Sequence, residues 1–198
     1  MIGVAYSVHY WSETTYSLEP GAFSWPFLEE RSATLTSAAA ATGAEQEQVG
    51  EIHATRVDVG LWEDRYADEV RLLDALDFVS QDLARAAVAV LGPESGEPRD
   101  EFLTALGPFP AFLFISRFVV RRDLRSQGLG TRFFEAALPV MAADAGLVLL
   151  EPLPFADEWG YHPGEAIPEE MVERLRGFYQ RQGFRPLGAT GLWYRDSI

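Results

Sequence analysis

The segment FISRFVVRRDLRSQGLGTRFFEAAL, from Phe114 to Leu138, constrains the fold more than any other part of the sequence. An apolar run typical of a buried strand ends in a cluster of arginines, two glycines follow two positions apart, and an amphipathic helix begins at once. Such a corner turns several backbone N–H groups toward one point, at the positive end of the helix dipole. It therefore predicts a site for an anion such as phosphate.

The composition narrows the kind of phosphate site. The chain carries a net charge of −14, and all 16 of its basic residues are arginines. Without lysine, neither a GxxxxGK[ST] phosphate loop nor a Schiff base to pyridoxal phosphate is available. A dinucleotide fingerprint would need a third glycine at position 133, where the chain has Phe133. The main local exception to the acidic trend is the corner, where Asp123 stands against Arg117, Arg121, Arg122, Arg125 and Arg132.

The rest of the chain alternates between strand-like and helix-like patterns. Residues 1–60 predict extended structure, in which ERSATLTSAAAA and EQVGEIHATRVDV pair across a turn. Apolar residues recur at helical spacing over 66–91. From residue 111 onward, the predicted order is a strand at 111–120, a helix at about 127–143, a strand at 147–154, a helix from Pro168 to Gly183 and a terminal hairpin.

Two motifs resemble those of one enzyme superfamily. Arg125, Gly128 and Gly130 form an R-x-x-G-x-G pattern that resembles the coenzyme A loop of the GNAT acyltransferases, and FYQRQGF at 178–184 resembles the end of their last helix. The resemblance covers roughly residues 112–196. It implies an α/β (α+β) fold, with a mixed, mostly antiparallel sheet flanked by helices. One domain would span 1–198, with a helical insertion at about 66–91 and a loop insertion at about 153–168.

The resemblance also implies an activity, the transfer of an acetyl group from acetyl-CoA to a primary amine of a small molecule, peptide or protein. Tyr179 would protonate the leaving thiolate. Family members often carry an asparagine seven residues before this tyrosine, where the chain has Val172. The alternatives are a coenzyme A-binding regulatory or sensor domain without turnover, and an interaction protein that keeps the fold without the site. The residues expected to hold the cofactor are Phe118, Val120, Arg125, Ser126, Gln127, Gly128, Leu129, Gly130 and Thr131.

Three groups are open as the base that deprotonates the amine. Glu151 ends the second buried strand, near the expected position of the thioester, and a partly buried carboxylate is a common base. His162 lies in the aromatic, acidic loop that follows, and a chain of water molecules is the third. His9 and His53 form no cluster with metal-ligand spacing, so no metal is expected.

Charge and composition also give expectations about partners. An acidic chain argues against a nucleic-acid partner and favours an amine-bearing one. The chain has no cysteine, no apolar run of membrane-spanning length and no pattern of a signal peptide. We therefore expect a cytoplasmic protein with no nucleic-acid or membrane partner, and a homodimer is left open.

Overall fold

A computed structural model describes residues 4–13, 25–39, 46–92, 97–107, 110–155 and 167–197. Its centre is a seven-stranded sheet in the order β1-β2-β3-β4-β5-β7-β6. Only the central β4–β5 pair is parallel, and all the other neighbours are antiparallel. The expected mixed, mostly antiparallel sheet flanked by helices is therefore confirmed. The strands are β1 (Val4–Glu13), β2 (Leu28–Ala39), β3 (Glu47–Asp58), β4 (Ala111–Val120), β5 (Leu147–Leu150), β6 (Arg185–Pro186) and β7 (Trp193–Asp196).

The strand β5 ends earlier than the sequence suggested, at a segment that contains two prolines. The apolar run at 147–154 predicts one strand, but β5 stops at Leu150. Pro152 and Pro154 lack the N–H that a ladder hydrogen bond needs, so the chain leaves the sheet there. The predicted pairing of the two segments around the TGAEQ turn is confirmed as β2 and β3, and the predicted terminal hairpin is β6 and β7.

The helices begin where the sequence supplies caps. The Asp58 carboxylate accepts a hydrogen bond from the Leu61 amide at 2.8 Å, and the Ser80 hydroxyl accepts one from the Leu83 amide at 3.5 Å. The Ser80 cap divides the predicted helical segment 66–91 into two helices. The helices of the described residues are α1 (Val59–Arg65), α2 (Leu72–Val79), α3 (Gln81–Val90), α4 (Leu103–Leu106), α5 (Leu129–Met141) and α6 (Glu169–Arg181). Among them, no helix is both long and apolar enough to cross a membrane.

The sheet separates two apolar cores. Phe112 and Phe114 of β4 face one core, which is packed with the helices α1 to α3, while Leu113 and Ile115 face the other core, which is packed with α5. This alternation is the period of two expected for a strand covered on both faces. The first five residues of β4 are consequently apolar and buried, which is why the run at 111–120 stands out in the sequence.

One buried arginine connects the sheet to the end of α5. Arg31 of β2 is 5% exposed, and its Nη1 donates to the Met141 carbonyl and to the Asp144 carboxylate, each at 2.6 Å. Its Nη2 donates to Glu29 at 2.6 Å. Hydrogen bonding from Arg31 lowers the pKa of Asp144 below its ordinary value of 3.8, against the opposing effect of burial. A charge this buried is stable only while its partners remain ionised.

We predict that Asp144→Asn destabilises the protein by about 1 kcal/mol at neutral pH, a discounted value because the Asp144 side chain is half exposed. The lowered pKa means that the stabilisation is complete above pH 3.8 and is lost as the pH falls through the folded-state pKa. Urea unfolding at several pH values should therefore show the difference from wild type shrinking in acid. Asp74→Asn, at an exposed pair with Arg71, is the matched control and should change little.

Candidate functional site

A cavity of about 360 Å³ lies where β4 and β5 separate. β4 pairs with β3 along its whole length, to Val120, but with β5 only from Phe112 to Ile115. The register of β4 against β3 shifts at Ser116, which is an extra residue between Ile115 and Arg117. Such a bulge bends and twists a strand. Beyond it, the β5 side of β4 borders the cavity, so its backbone groups are open to an extended ligand.

The segment 125–131, which we call the glycine corner, lies at one end of this cavity. Gly128 is the N-cap of α5 and has a φ of 73°, and Ser126 has a φ of 64°, which is rare for a residue with a side chain. A Cβ on Gly128 would meet no atom within 4 Å, so the space above its backbone is open. Strained residues of this kind concentrate at ligand sites. The corner is therefore open to a ligand, and the anion site that the sequence indicated there stays a prediction.

The corner and cavity are rich in positive charge. Arg174 and Arg181 of α6 line the cavity, and an Arg174 Nη2 donates to the Ser126 hydroxyl. No carboxylate of the described residues forms an ion pair with either of these two arginines. Arg121, in contrast, is neutralised by Glu47 and Asp123 at 2.6 and 2.7 Å. The uncompensated charge thus points into the cavity, where it attracts an anion.

Most of the predicted site residues line this one cavity. They are Phe118, Val120, Arg125, Ser126, Gly128, Gly130, Thr131, Glu151 and Tyr179.

Gln127 and Leu129 do not line it. The Gln127 side-chain amide donates to the Asp123 carbonyl at 3.1 Å, and Leu129 is 4% exposed within the core beneath α5. The Val120 carbonyl accepts a hydrogen bond from Arg125 Nε at 2.6 Å. The expectation that these residues hold the cofactor stays a prediction.

Tyr179 is buried at the inner wall of the cavity. Its ring contacts Phe134, Phe178 and Phe184 edge-on, with centroids 5.1–6.0 Å away. Burial raises the pKa of the Tyr179 phenol well above its ordinary value of 10.0, so the side chain is neutral at physiological pH. Within the described residues, no group hydrogen-bonds to its hydroxyl. A buried tyrosine in a core usually finds such a partner, so a hydroxyl that instead borders a cavity is available to a ligand.

Glu151 also borders the cavity, but an arginine holds it. Both carboxylate oxygens of Glu151 accept hydrogen bonds from Arg85 of α3, one of them at 3.3 Å. The helical segment predicted as an insertion therefore reaches the site through Arg85. His162, the other side chain considered as a base, lies outside the described residues.

Reasoning from the sequence missed Arg174 and Arg181 as cavity residues. A signal for them existed, because Arg174, Phe178 and Arg181 follow one another at spacings of four and three and so share one face of α6. Arg117 also lines the cavity, held by Glu51 at 2.6 Å and stacked 5.0 Å from the Phe155 ring centroid. Across the described ranges, no group of three or more His, Asp or Glu side chains is placed to hold a metal ion.

Comparison with known proteins shows little similarity. No protein-family model matches the chain, and no curated protein matches it. Among solved structures, it is similar to one described as "The crystal structure of KacTA-DNA complex", with a TM-score of 0.44 and 12% sequence identity. The match covers 85% of this chain and 68% of that chain.

That structure is a complex with DNA. The expectation that nucleic acid is excluded as a partner is wrong, because it was drawn from the net charge alone. The physical error lies in the use of net charge. A value of −14 is a sum over the whole chain, whereas Arg174 and Arg181 show that a local surface of the same chain is basic. Overall acidity therefore does not exclude nucleic acid.

We predict that one tyrosine of the folded protein titrates later than the ordinary value of 10.0, and that Tyr179→Phe removes this late titration. Because the pKa is raised in the folded state, the neutral phenol stabilises the fold below pH 10.0 and this contribution is lost as the pH rises. The difference in phenolate absorbance between wild type and variant isolates the group. Ionisation of Tyr179 near pH 10 in the folded protein would contradict its burial.

Proposed function

We propose that this protein is an acyltransferase that moves an acetyl group from acetyl-CoA to a primary amine. The observation that carries the proposal is the cavity between β4 and β5, which has the αL glycine corner at one end and the unbonded Tyr179 hydroxyl in its wall. The resemblance of the two sequence motifs to the GNAT superfamily supports the same activity, since both motifs border this cavity.

The residues present fit coenzyme A. The corner at Gly128 would hold the pyrophosphate on backbone N–H groups, because no side chain stands in the way. Arg174, fixed by Ser126, would supply a charged hydrogen bond beside it. The extended pantetheine arm would lie along β4 past Phe118, where β5 has left the sheet. A ligand held in this way adds a strand to the open side of β4.

The reaction needs two proton movements. When the amine nitrogen bonds to the acetyl carbonyl carbon of acetyl-CoA, the carbon–sulfur bond breaks, the nitrogen loses a proton and the sulfur takes one up. Tyr179 is the group we propose for the second of these, since its hydroxyl borders the cavity with its proton in place. The transfer moves the negative charge from sulfur to the phenol oxygen, and the proton lost by the amine, relayed through water in the cavity, restores the neutral phenol.

The side chain considered as acceptor of the amine proton already has a partner. Glu151 lies in the cavity wall, yet Arg85 occupies both of its oxygens. Removal of the proton by Glu151 would require the displacement of Arg85, whereas a water molecule in the open cleft requires none. We therefore propose water as the first proton acceptor.

A screen of amines with acetyl-CoA, read by release of free thiol, tests the activity and separates it from the two alternatives. Turnover with an amine supports the enzyme. Binding of acetyl-CoA without turnover across the screen would favour the sensor domain, and absence of binding would favour the interaction protein. The free hydroxyl of Tyr179 favours the enzyme, because neither alternative requires it.

We predict that Gly128→Glu abolishes acetyl-CoA binding in calorimetry, because it places a negative charge where the phosphates should lie. Gly188→Glu is the matched control. Gly188 also has a positive φ, 54°, and also has no atom within 4 Å of a built Cβ, so the strain and the added charge are alike. The control should bind as wild type does. Equal affinity in both variants would overturn the assignment of the corner.

We predict that Tyr179→Phe lowers kcat by about a hundredfold or more, the usual scale for a lost general acid, and leaves acetyl-CoA affinity near wild type. Tyr194→Phe is the control, because Tyr194 packs in the other core, edge-on to Phe102 at 5.2 Å. Steady-state kinetics with an accepted amine measures both. A Tyr179→Phe enzyme with unchanged kcat would show that the tyrosine is only a core residue.

A further inference from the structure

The two edges of the sheet are built differently. The β6 edge has two residues, Arg185 and Pro186, and a charged residue beside a proline is a common protection of an edge. The β1 edge is ten residues long, and its stretch from residue 5 to residue 12 contains no Asp, Glu, Arg or proline. No described strand pairs with its outer side. Natural proteins rarely leave such an edge open.

The side chains of β1 are also unusually apolar for a surface. Tyr6, Val8 and Tyr10 are 37%, 38% and 37% exposed, and Trp11 is 46% exposed. Val8 and Tyr10 pair with Leu35 and Ala33 of β2, both of which belong to the core beneath α5. Because paired residues share a face, Tyr6, Val8 and Tyr10 extend this core face to the edge of the sheet, where α5 covers it only in part.

We infer that β1 is the surface through which two copies of this chain associate, by antiparallel pairing of β1 with its own copy. Two copies of an edge strand can pair antiparallel about a two-fold axis normal to the sheet. The axis must pass through a residue, because only then do side chains of the same face lie opposite one another. The sequence of β1 favours an axis at Val8. It places Val8 against Val8 and Tyr6 against Tyr10, twice, and cross-strand pairs of this kind stabilise sheets.

The charge pattern agrees with this register. In a chain of net charge −14, two copies repel one another, so an interface must avoid opposing carboxylates. With the axis at Val8, no carboxylate of β1 lies opposite another, because the one acidic residue of β1, Glu13, is at the end of the strand. An axis one residue later would oppose His9 to His9 and would pair Tyr6 with Ser12, losing both tyrosine pairs. The Val8 register is therefore the better matched of the two central registers.

The absence of cysteine makes the test direct. Val8→Cys carries a single thiol, and the inferred axis places it opposite its own copy, within reach of a disulfide. Mild oxidation should convert most of the protein into a covalent dimer. On the other face, Ser7→Cys and His9→Cys lie opposite one another, so they should cross-link strongly when mixed and weakly when each is alone. Cross-linking that does not follow this pattern would overturn the register.

Sedimentation tests the association itself. At about 100 μM, well above a micromolar dissociation constant, wild type should be dimeric. Val8→Lys opposes two charges at the axis and should raise the dissociation constant of the dimer at least a hundredfold, so that the monomer fraction at this concentration rises sharply. Val140→Lys, at an exposed position of α5, is the control and should remain dimeric. Circular dichroism checks that both variants fold. A monomeric wild type, or a dimer that persists in Val8→Lys, would refute the inference, and neither result bears on the acyltransferase proposal.

Discussion

The separation of β4 from β5 is the constraint on which the rest of the site depends. Its causes are local: an extra residue at Ser116 bends one strand, and Pro152 and Pro154 end the other. Because β3 still pairs with β4 as far as Val120, the sheet is not weakened on that side. The result is a strand whose backbone is supported on one side and open on the other. A sheet that continued without the break would have filled this space with its own ladder.

The charged side chains make the electrostatic potential differ between the two ends of the cavity. Most charged side chains around the sheet are paired, as Arg117 is with Glu51 and Arg85 with Glu151. Burial alone would raise the pKa of Glu51, but hydrogen bonds from Arg117 and His53 outweigh it and lower that pKa below 4.5. The arginines of α6 at the corner have no such carboxylate among the described residues. In an acidic protein, this selective pairing leaves positive potential at one end of the cavity, beside the N-terminus of α5.

Tyr179 and β1 each place a group in an unfavourable environment: the Tyr179 hydroxyl is buried, and apolar side chains of β1 are exposed. A buried polar group without a hydrogen-bond partner costs free energy, and so do apolar side chains exposed to solvent. A bound molecule removes either cost. The Tyr179 hydroxyl borders a cavity of the size that small ligands use, so a ligand is the natural partner. β1 presents a ten-residue edge with no Asp, Glu or Arg from residue 5 to residue 12, and a second copy of the same strand is the partner that we infer for it.

The sequence alone determined the order of the elements, the glycine corner and the position of Tyr179 on the last long helix, since each depends on residues close together in the chain. Positive φ at Gly128, helical spacing in α6 and the apolar run of β4 are all encoded locally. Tertiary structure decided which of these groups meet. The pairing of Arg85 with Glu151 joins residues 66 positions apart, and the early end of β5 turned a predicted strand into a cavity wall. Such contacts depend on how two faces of the sheet are packed, and no short segment carries that information.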